Sequence, residues 1–201
     1  MTRRRTSLKN TLVTQLRAAE ARHDCVELWC MDEHRLGLKP ILGKVWAPRG
    51  QRPIARVQHR YEWLYVSAFA CPESGASQFW LTPRVNTRVF EEVLAAFARN
   101  VGAGSERHIL VVLDGAGWHT SGTLRVPEGL ELVVLPLYSP ELQPAERLWR
   151  LTDEPLKNQH FASLAALETI LGDQCRKLEH ATDQIRAATR FHWWPYASLR
   201  I

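Results

Sequence analysis

Apolar positions follow two rhythms along this chain. From Thr6 to Ala21, Leu8, Leu12, Val13, Leu16 and Ala19 recur at helical spacing, which predicts a helix. Val26, Leu28, Trp29, Cys30 and Met31 then form a short apolar run, which predicts a buried strand ending at Asp32. "GKVWAPRGQRPIARV" is expected to form a hairpin, with Pro48-Arg49-Gly50 as the turn between two strand-like pieces. A second hairpin is predicted from a strand centred on Leu64 to Ala70, a turn at Pro72 to Gly75 and a return strand over Gln78 to Leu81. Asn86 is placed as the N-cap of a helix whose apolar face is Val89, Phe90, Val93, Leu94 and Phe97. Ile109 to Leu113 and Leu130 to Leu135 are two further apolar strands, with a short helix between them. Helices follow over Ala145 to Lys157 and Ser163 to Leu178, and the tail "FHWWPYASLRI" is expected to pack back on the body.

This order predicts an α/β fold with a mixed five-stranded sheet, three antiparallel strands first and parallel strands second, flanked by helices. It divides the chain into a basic N-terminal helical arm (1–25), a main domain (26–180) and an aromatic tail (181–201). A length of 201 residues suits one domain, and 45% apolar residues can fill its core. The net charge of +5 leans toward an anionic partner such as nucleic acid. Arg3, Arg4, Arg5, Lys9, Arg17 and Arg22 decorate the first helix, which reads either as a solvated helix or as an arm on the DNA backbone. The four cysteines are scattered and form no C-x-x-C pair, so a zinc knuckle is unsupported and reduced thiols are expected. No apolar run approaches membrane-spanning length and none follows the basic start, so a soluble intracellular protein without a membrane partner is expected.

Two of the apolar strands deliver an aspartate at their C-terminal end, Asp32 and Asp114. Central strands of an α/β sheet bring such residues to one edge, where converging carboxylates need a cation to stay ionised. Oxygen ligands of this kind suit Mg²⁺ or Mn²⁺. Each aspartate also has a bland reading. Asp32 can be a turn acid beside a tolerated neighbour, Glu33, and Asp114 can serve an Asp-Gly turn. A third acid has two candidates in "YSPELQPAERLW". With Gln143 as cap and Pro144 at N1, Glu146 falls at the capping-box position N3. With Ser139 as cap, Glu141 lies at N2 and favours the helix dipole. Local rules leave the two tied.

"MDEHRLGL", "KVWAPRGQRP", "LVVLDGAGWH" and "LPLYSPELQPAERLW" occur in an order that resembles the DDE-type transposases related to mariner elements, most of all a bacterial insertion-sequence branch. The resemblance covers about Glu27 to Phe161. It implies an RNase H-like catalytic domain of the kind retroviral integrases carry. It matches Asp32, Asp114 and Glu146 to the three catalytic, metal-binding acids, and Glu141 to an acid in local support. His119 matches a site-wall or DNA-contacting residue. Two Mg²⁺ or Mn²⁺ ions, cleavage at transposon ends and transfer of the 3′-hydroxyl into target DNA are implied with it. So are a homodimer on paired DNA ends and a cytoplasmic, nucleoid-associated location in a bacterium. Lys39, Lys44, Arg49, Arg52, Arg56 and Arg60, which follow the first acid, are expected either to grip phosphates or to decorate a solvated hairpin.

The sequence departs from the family pattern at Gly115 and Gln143, where asparagine is usual, and 31 residues separate Asp114 from Glu146, slightly few for the family. Residues 1 to 25 cannot hold the helix-turn-helix domain that usually precedes the catalytic one. Either a separately encoded helix-turn-helix protein supplies it or the chain is a fragment. The competing readings are an inactive remnant or DNA-associated interaction module, and an RNase H-like nuclease acting on RNA–DNA hybrids.

Overall fold

The structure is a computed structural model that describes residues 2–54, 60–137 and 139–196. Strands β1 (Cys25–Gly37), β2 (Trp63–Ala70), β3 (Ser77–Thr82), β4 (Arg107–Leu113) and β5 (Leu130–Val134) form one sheet in the order β3-β2-β1-β4-β5. β1–β2 and β2–β3 are antiparallel, whereas β1–β4 and β4–β5 are parallel. The expected mixed sheet is therefore present.

Alternation along the strands divides the core between two faces. Leu28 and Cys30 of β1, Leu64, Val66 and Ala68 of β2, and Leu110 and Val112 of β4 share one cluster. Helices α1 (Thr2–Glu20), α4 (Leu164–Glu179) and α5 (Thr182–Thr189) supply Leu12, Leu16, Leu171, Leu178 and Ile185 to it. Trp29, Met31, Phe69, Ile109 and Val111 face the other way, onto Phe90, Leu94 and Phe97 of α2 (Thr87–Val101). The side chain of Asn86 caps α2 by accepting from the Val89 amide at 3.0 Å. Leu8, Leu12, Leu16 and Ala19 are all buried, so α1 is a wall of the domain rather than an arm beside it. Trp193 and Trp194 of the tail are buried in the same cluster.

Three local expectations are corrected. β1 does not end at Asp32 but runs on to Gly37, because β2 continues to pair with it after β4 has stopped. The described part of "GKVWAPRGQRPIARV" holds the turn, with the Gln51 amide bonded to Pro48 O and Gly50 at φ +85, but no flanking strands. Val45, Trp46 and Ile54 are exposed there, so alternation without a sheet to pair with makes an extended loop. Between β4 and β5 stands a hydrogen-bonded turn from Ala116 to Thr120 instead of a short helix.

One tight approach ties the β2–β3 turn to α5. Gly75 has φ +78, and a Cβ there would lie 2.0 Å from Thr182 O. Gly75→Ala should therefore destabilise by roughly 2 kcal/mol or more, since both the backbone conformation and the packing reject a side chain. Thermal melting should fall by several degrees, and an unchanged melting temperature would remove this constraint.

Candidate active site

The two aspartates come together because β1 and β4 part company. Parallel pairing between them ends at Cys30 and Val112. Two residues further on, Asp32 and Asp114 line a cavity of about 310 Å³ together with Glu146. Gly115, Ala116, Pro136, Ser139 and Gln143 complete its wall.

Gln143 holds the split open. Its buried Nε2 donates to Met31 O at 2.8 Å and to Val112 O at 3.4 Å, so one amide bridges the two diverging strands. Its Oε1 accepts from the Ala145 amide and caps a 3-10 turn, Pro144–Leu148, with Pro144 at N1 and Glu146 at N3. Ser139 and Pro140 start a separate 3-10 turn, Pro140–Leu142. Both proposed helix starts exist, but they face different ways. Glu146 lines the cavity with the aspartates, whereas Glu141 lines another, with Arg5, Arg147 and Phe191. The helix expected over Ala145 to Lys157 is broken into this turn, a short α3 (Trp149–Thr152) and a further 3-10 turn, Glu154–Leu156.

Trp149 is buried beneath the first acid, and its Nε1 donates to Asp32 Oδ2 at 2.9 Å. His34 stacks on the Trp149 ring at 4.9 Å, and its Nε2 lies 3.1 Å from Asp153 Oδ1. Burial pushes the Asp32 carboxyl up from 3.8 to about 7. The Trp149 hydrogen bond holds it down in part, and the charges of Glu146 and Glu33 add to the rise. Asp114 goes the other way. A hydrogen bond from His119 outweighs burial and keeps its carboxyl below the ordinary value, with help from the Ala116 amide at 3.1 Å.

His119 corrects an expectation. Its side chain is 0% exposed and therefore cannot contact DNA. Nδ1 lies 2.8 Å from Asp114 Oδ1, and Nε2 lies 2.9 Å from Glu33 Oε1. Burial opposes a charged ring, yet hydrogen bonds to Asp114 and Glu33 and the charges of both raise its pKa to about 9. Glu33, Asp114 and His119 bring potential ligand atoms within 4.8 Å of one another. Because both ring nitrogens already face carboxylates, this cluster is satisfied by hydrogen bonds rather than shaped for an ion.

The basic residues lie elsewhere. Lys39, Lys44, Arg49 and Arg52 are exposed on the long connection between β1 and β2. Lys44 and Arg52 line a cleft with Leu42, Val45 and Ile54 that contains none of the acids. The base of that connection is fastened by the Asn158 amide to Ile41 O at 2.8 Å and by the Gly43 amide to Asn158 Oδ1 at 3.0 Å. Arg60 is already engaged by Ala162 O and Glu62. Arg56 lies outside the described residues. Gly115 is accommodated in the cavity wall, where a Cβ would meet Leu137 Cδ2 at 3.3 Å.

A profile of the DDE superfamily endonuclease family matches residues 27–168, a span that contains all three cavity acids. The chain belongs to the DDE superfamily endonucleases. A 100-residue stretch is 37% identical to "Uncharacterized protein y4pE/y4sA" of Sinorhizobium fredii (strain NBRC 101917 / NGR234), covering 49% of this chain and 73% of that protein. The fold is shared with the catalytic domain of Mos1 mariner transposase, with a TM-score of 0.50 at 15% identity over 96% of both chains. Mos1 transposase in a paired-end complex with the left transposon end gives a TM-score of 0.55 at 18% identity, covering 97% of this chain and 62% of that one. The mariner Mos1 paired-end complex with Mg gives 0.56 at 19% identity, covering 94% and 63%. This DDE-family chain thus has an RNase H-like fold and spans just over three-fifths of the length of the Mos1 chains in those complexes.

Sequence reasoning passed over Glu33, Trp149 and Gln143 as functional residues. An acid at an enclosed strand position needs a donor, and "GWH" downstream carries two, Trp118 and His119. That pairing was the available signal.

The folded protein holds the Asp32 proton more tightly than the unfolded chain does, with a carboxyl at about 7 against 3.8. Stability from this group is therefore complete below about pH 4 and is lost as the pH rises through about 7. In chelator at pH 8, Asp32→Asn should melt several degrees above the wild type, with the difference shrinking toward pH 4. Mg²⁺ should raise the melting temperature of the wild type and not that of the variant. Superimposable melting curves at pH 8 would contradict the charge burial.

Proposed function

We propose that this chain is the catalytic domain of a transposase, with Asp32, Asp114 and Glu146 as its catalytic, metal-binding residues. The observation that carries this reading is the convergence of the three acids on one cavity in a chain of the DDE family. The donor set fits a hard divalent cation. All three side chains offer oxygen, and burial together with the charges of Glu146 and Glu33 raises the Asp32 carboxyl, which a cation beside it would lower again. Mg²⁺ or Mn²⁺ bound there, as two ions in our reading, would supply an activated water and draw negative charge off a phosphate.

The residues of the chain do the rest. Trp149 fixes Asp32, His119 and the Ala116 amide fix Asp114, and the Gln143-capped turn presents Glu146. In the first step a water oxygen bonds to a phosphorus at the element end, and the P–O3′ bond breaks to leave a 3′-hydroxyl and a 5′-phosphate. In the second, that hydroxyl oxygen bonds to a target phosphorus and displaces the target's own 3′-oxygen. The strands are held outside the cavity by exposed cations, Lys39, Lys44, Arg49 and Arg52, and Arg56 is assigned the same role from its place in the sequence. Arg4 of α1 reaches Ser139 on the cavity rim at 3.4 Å, so the basic first helix lies beside the same substrate. A homodimer on paired ends completes the reading, with the nucleoid as the place of action. Among the described residues no helix is long and apolar enough to cross a membrane.

With labelled terminal-repeat DNA and Mn²⁺, the wild type should nick, and Asp32→Ala, Asp114→Ala and Glu146→Ala should each lose roughly a hundredfold or more. Wild-type nicking no faster than the variants would defeat the catalytic reading. Replacing Lys44 and Arg52 together by alanine should weaken DNA binding and reduce the slope of log K against log salt by about 2. An unchanged slope would remove the loop from the DNA-binding surface.

A further inference from the structure

Glu33 follows Asp32 in β1, and strand alternation turns it to the opposite face of the sheet, beside α2. There its side chain is only 8% exposed. Two donors converge on the same oxygen, Oε1, with Trp118 Nε1 at 3.2 Å and His119 Nε2 at 2.9 Å. A buried carboxylate is costly unless it is hydrogen-bonded and paired, and Glu33 does not line the cavity where the other acids meet. Its function must therefore be reached through what it holds.

What it holds is the ring of His119. Phe90 packs against that ring at 4.4 Å and Trp118 meets it edge-on at 5.7 Å, so it is fixed from two further sides. Its other nitrogen, Nδ1, lies 2.8 Å from Asp114 Oδ1 and 3.1 Å from Asp114 O. Carboxylates only accept, so a ring facing one on each side donates from both nitrogens. Asp114 Oδ1 also accepts from the Ala116 amide at 3.1 Å, which leaves Oδ2 for a cation.

We propose that Glu33 is a positioning residue for Asp114, acting through His119. The Glu33–His119–Asp114 hydrogen-bonded bridge spans the sheet from the α2 side to the cavity and sets the direction in which the second acid offers its free oxygen. The proposal rests on Asp114 being a metal ligand, as given under the proposed function. Groups that orient a metal ligand from behind typically change metal affinity or activity about 10- to 100-fold when lost.

The full chain is tested without metal and then with Mn²⁺ alone. In ¹⁵N-histidine NMR of the metal-free protein, the wild type should show slowly exchanging protons on both His119 nitrogens. Glu33→Gln should disturb the Nδ1–H signal as Asp114→Asn does, although the substitution is on the Nε2 side. Mn²⁺ affinity by calorimetry should fall about tenfold in Glu33→Gln. The double variant Glu33→Gln/His119→Ala should bind Mn²⁺ no more weakly than His119→Ala. Should Glu33→Gln not fold, Glu33→Asp, which keeps the charge and shortens the reach, is expected to give the same disturbance and loss. An unchanged Nδ1–H signal in the Glu33 variant overturns the bridge. So do an unchanged Mn²⁺ affinity and losses that add in full in the double variant. A wild type with the NMR signature that binds no Mn²⁺ and nicks no DNA would instead overturn the proposed function, and the positioning role with it.

Discussion

The site depends on two neighbouring strands that stop pairing at different places. β4 accompanies β1 only as far as Cys30 and Val112, while β2 stays with β1 to Gly37. The split makes room for side chains at the sheet edge, but it strands backbone carbonyls inside the protein, at a cost of about 1–3 kcal/mol each if left unpaired. Gln143 answers that need at Met31 O and, with a longer bond, at Val112 O. The same side chain caps the turn that carries Glu146. Healing the backbone and placing the third acid are therefore one event, because the Gln143 side chain reaches both carbonyls.

Charge sets the second constraint. Asp32 and Asp114 come from similar contexts, each just beyond an apolar run, yet they end in opposite states. Asp114 has a cationic imidazole against it and stays readily ionised. Asp32 is buried, has the neutral indole of Trp149 and a backbone amide against it with the charges of Glu146 and Glu33 nearby, and favours its proton up to about pH 7. The cavity is thus asymmetric, with one acid readily ionised and the other favouring its proton. In the proposed reading, the burial that disfavours the Asp32 charge in the free protein is relieved when a cation binds beside it.

The large features of the fold were legible because they rest on periodicity. Apolar-rich runs marked β1, β4 and β5, and Asn86 marked the start of α2 at its true cap. The two aspartates stood out because a charged residue ended an apolar run. The rest was not local. The hairpin expected around Pro48 failed because Val45, Trp46 and Ile54 have no partner strand, a fact about the sheet rather than the segment. β1 extended beyond Asp32 for the converse reason, since β2 supplied a partner. His119 was matched to a site-wall or DNA-contacting residue, but Phe90 and Glu33, 29 and 86 residues away in sequence, enclose it.

Glu141 and Glu146 show how a local tie is broken. Each sits in the first turn of a 3-10 segment opened by a proline, and each is a good partner for a helix N-terminus. Had capping been the whole role, either would have served. The difference lies in what each turn is fastened to. The turn at Pro140 starts from Ser139, whose side chain makes no cap bond, and Glu141 faces Arg147 and the tail. The turn at Pro144 starts from Gln143, fastened to the diverging strands, and Trp149 one turn on is fastened to Asp32. Glu146 is held between two attachments to β1, at Met31 and Asp32, and Glu141 has neither. Its position at N3 and its place in the cavity therefore follow from the same pair of bonds.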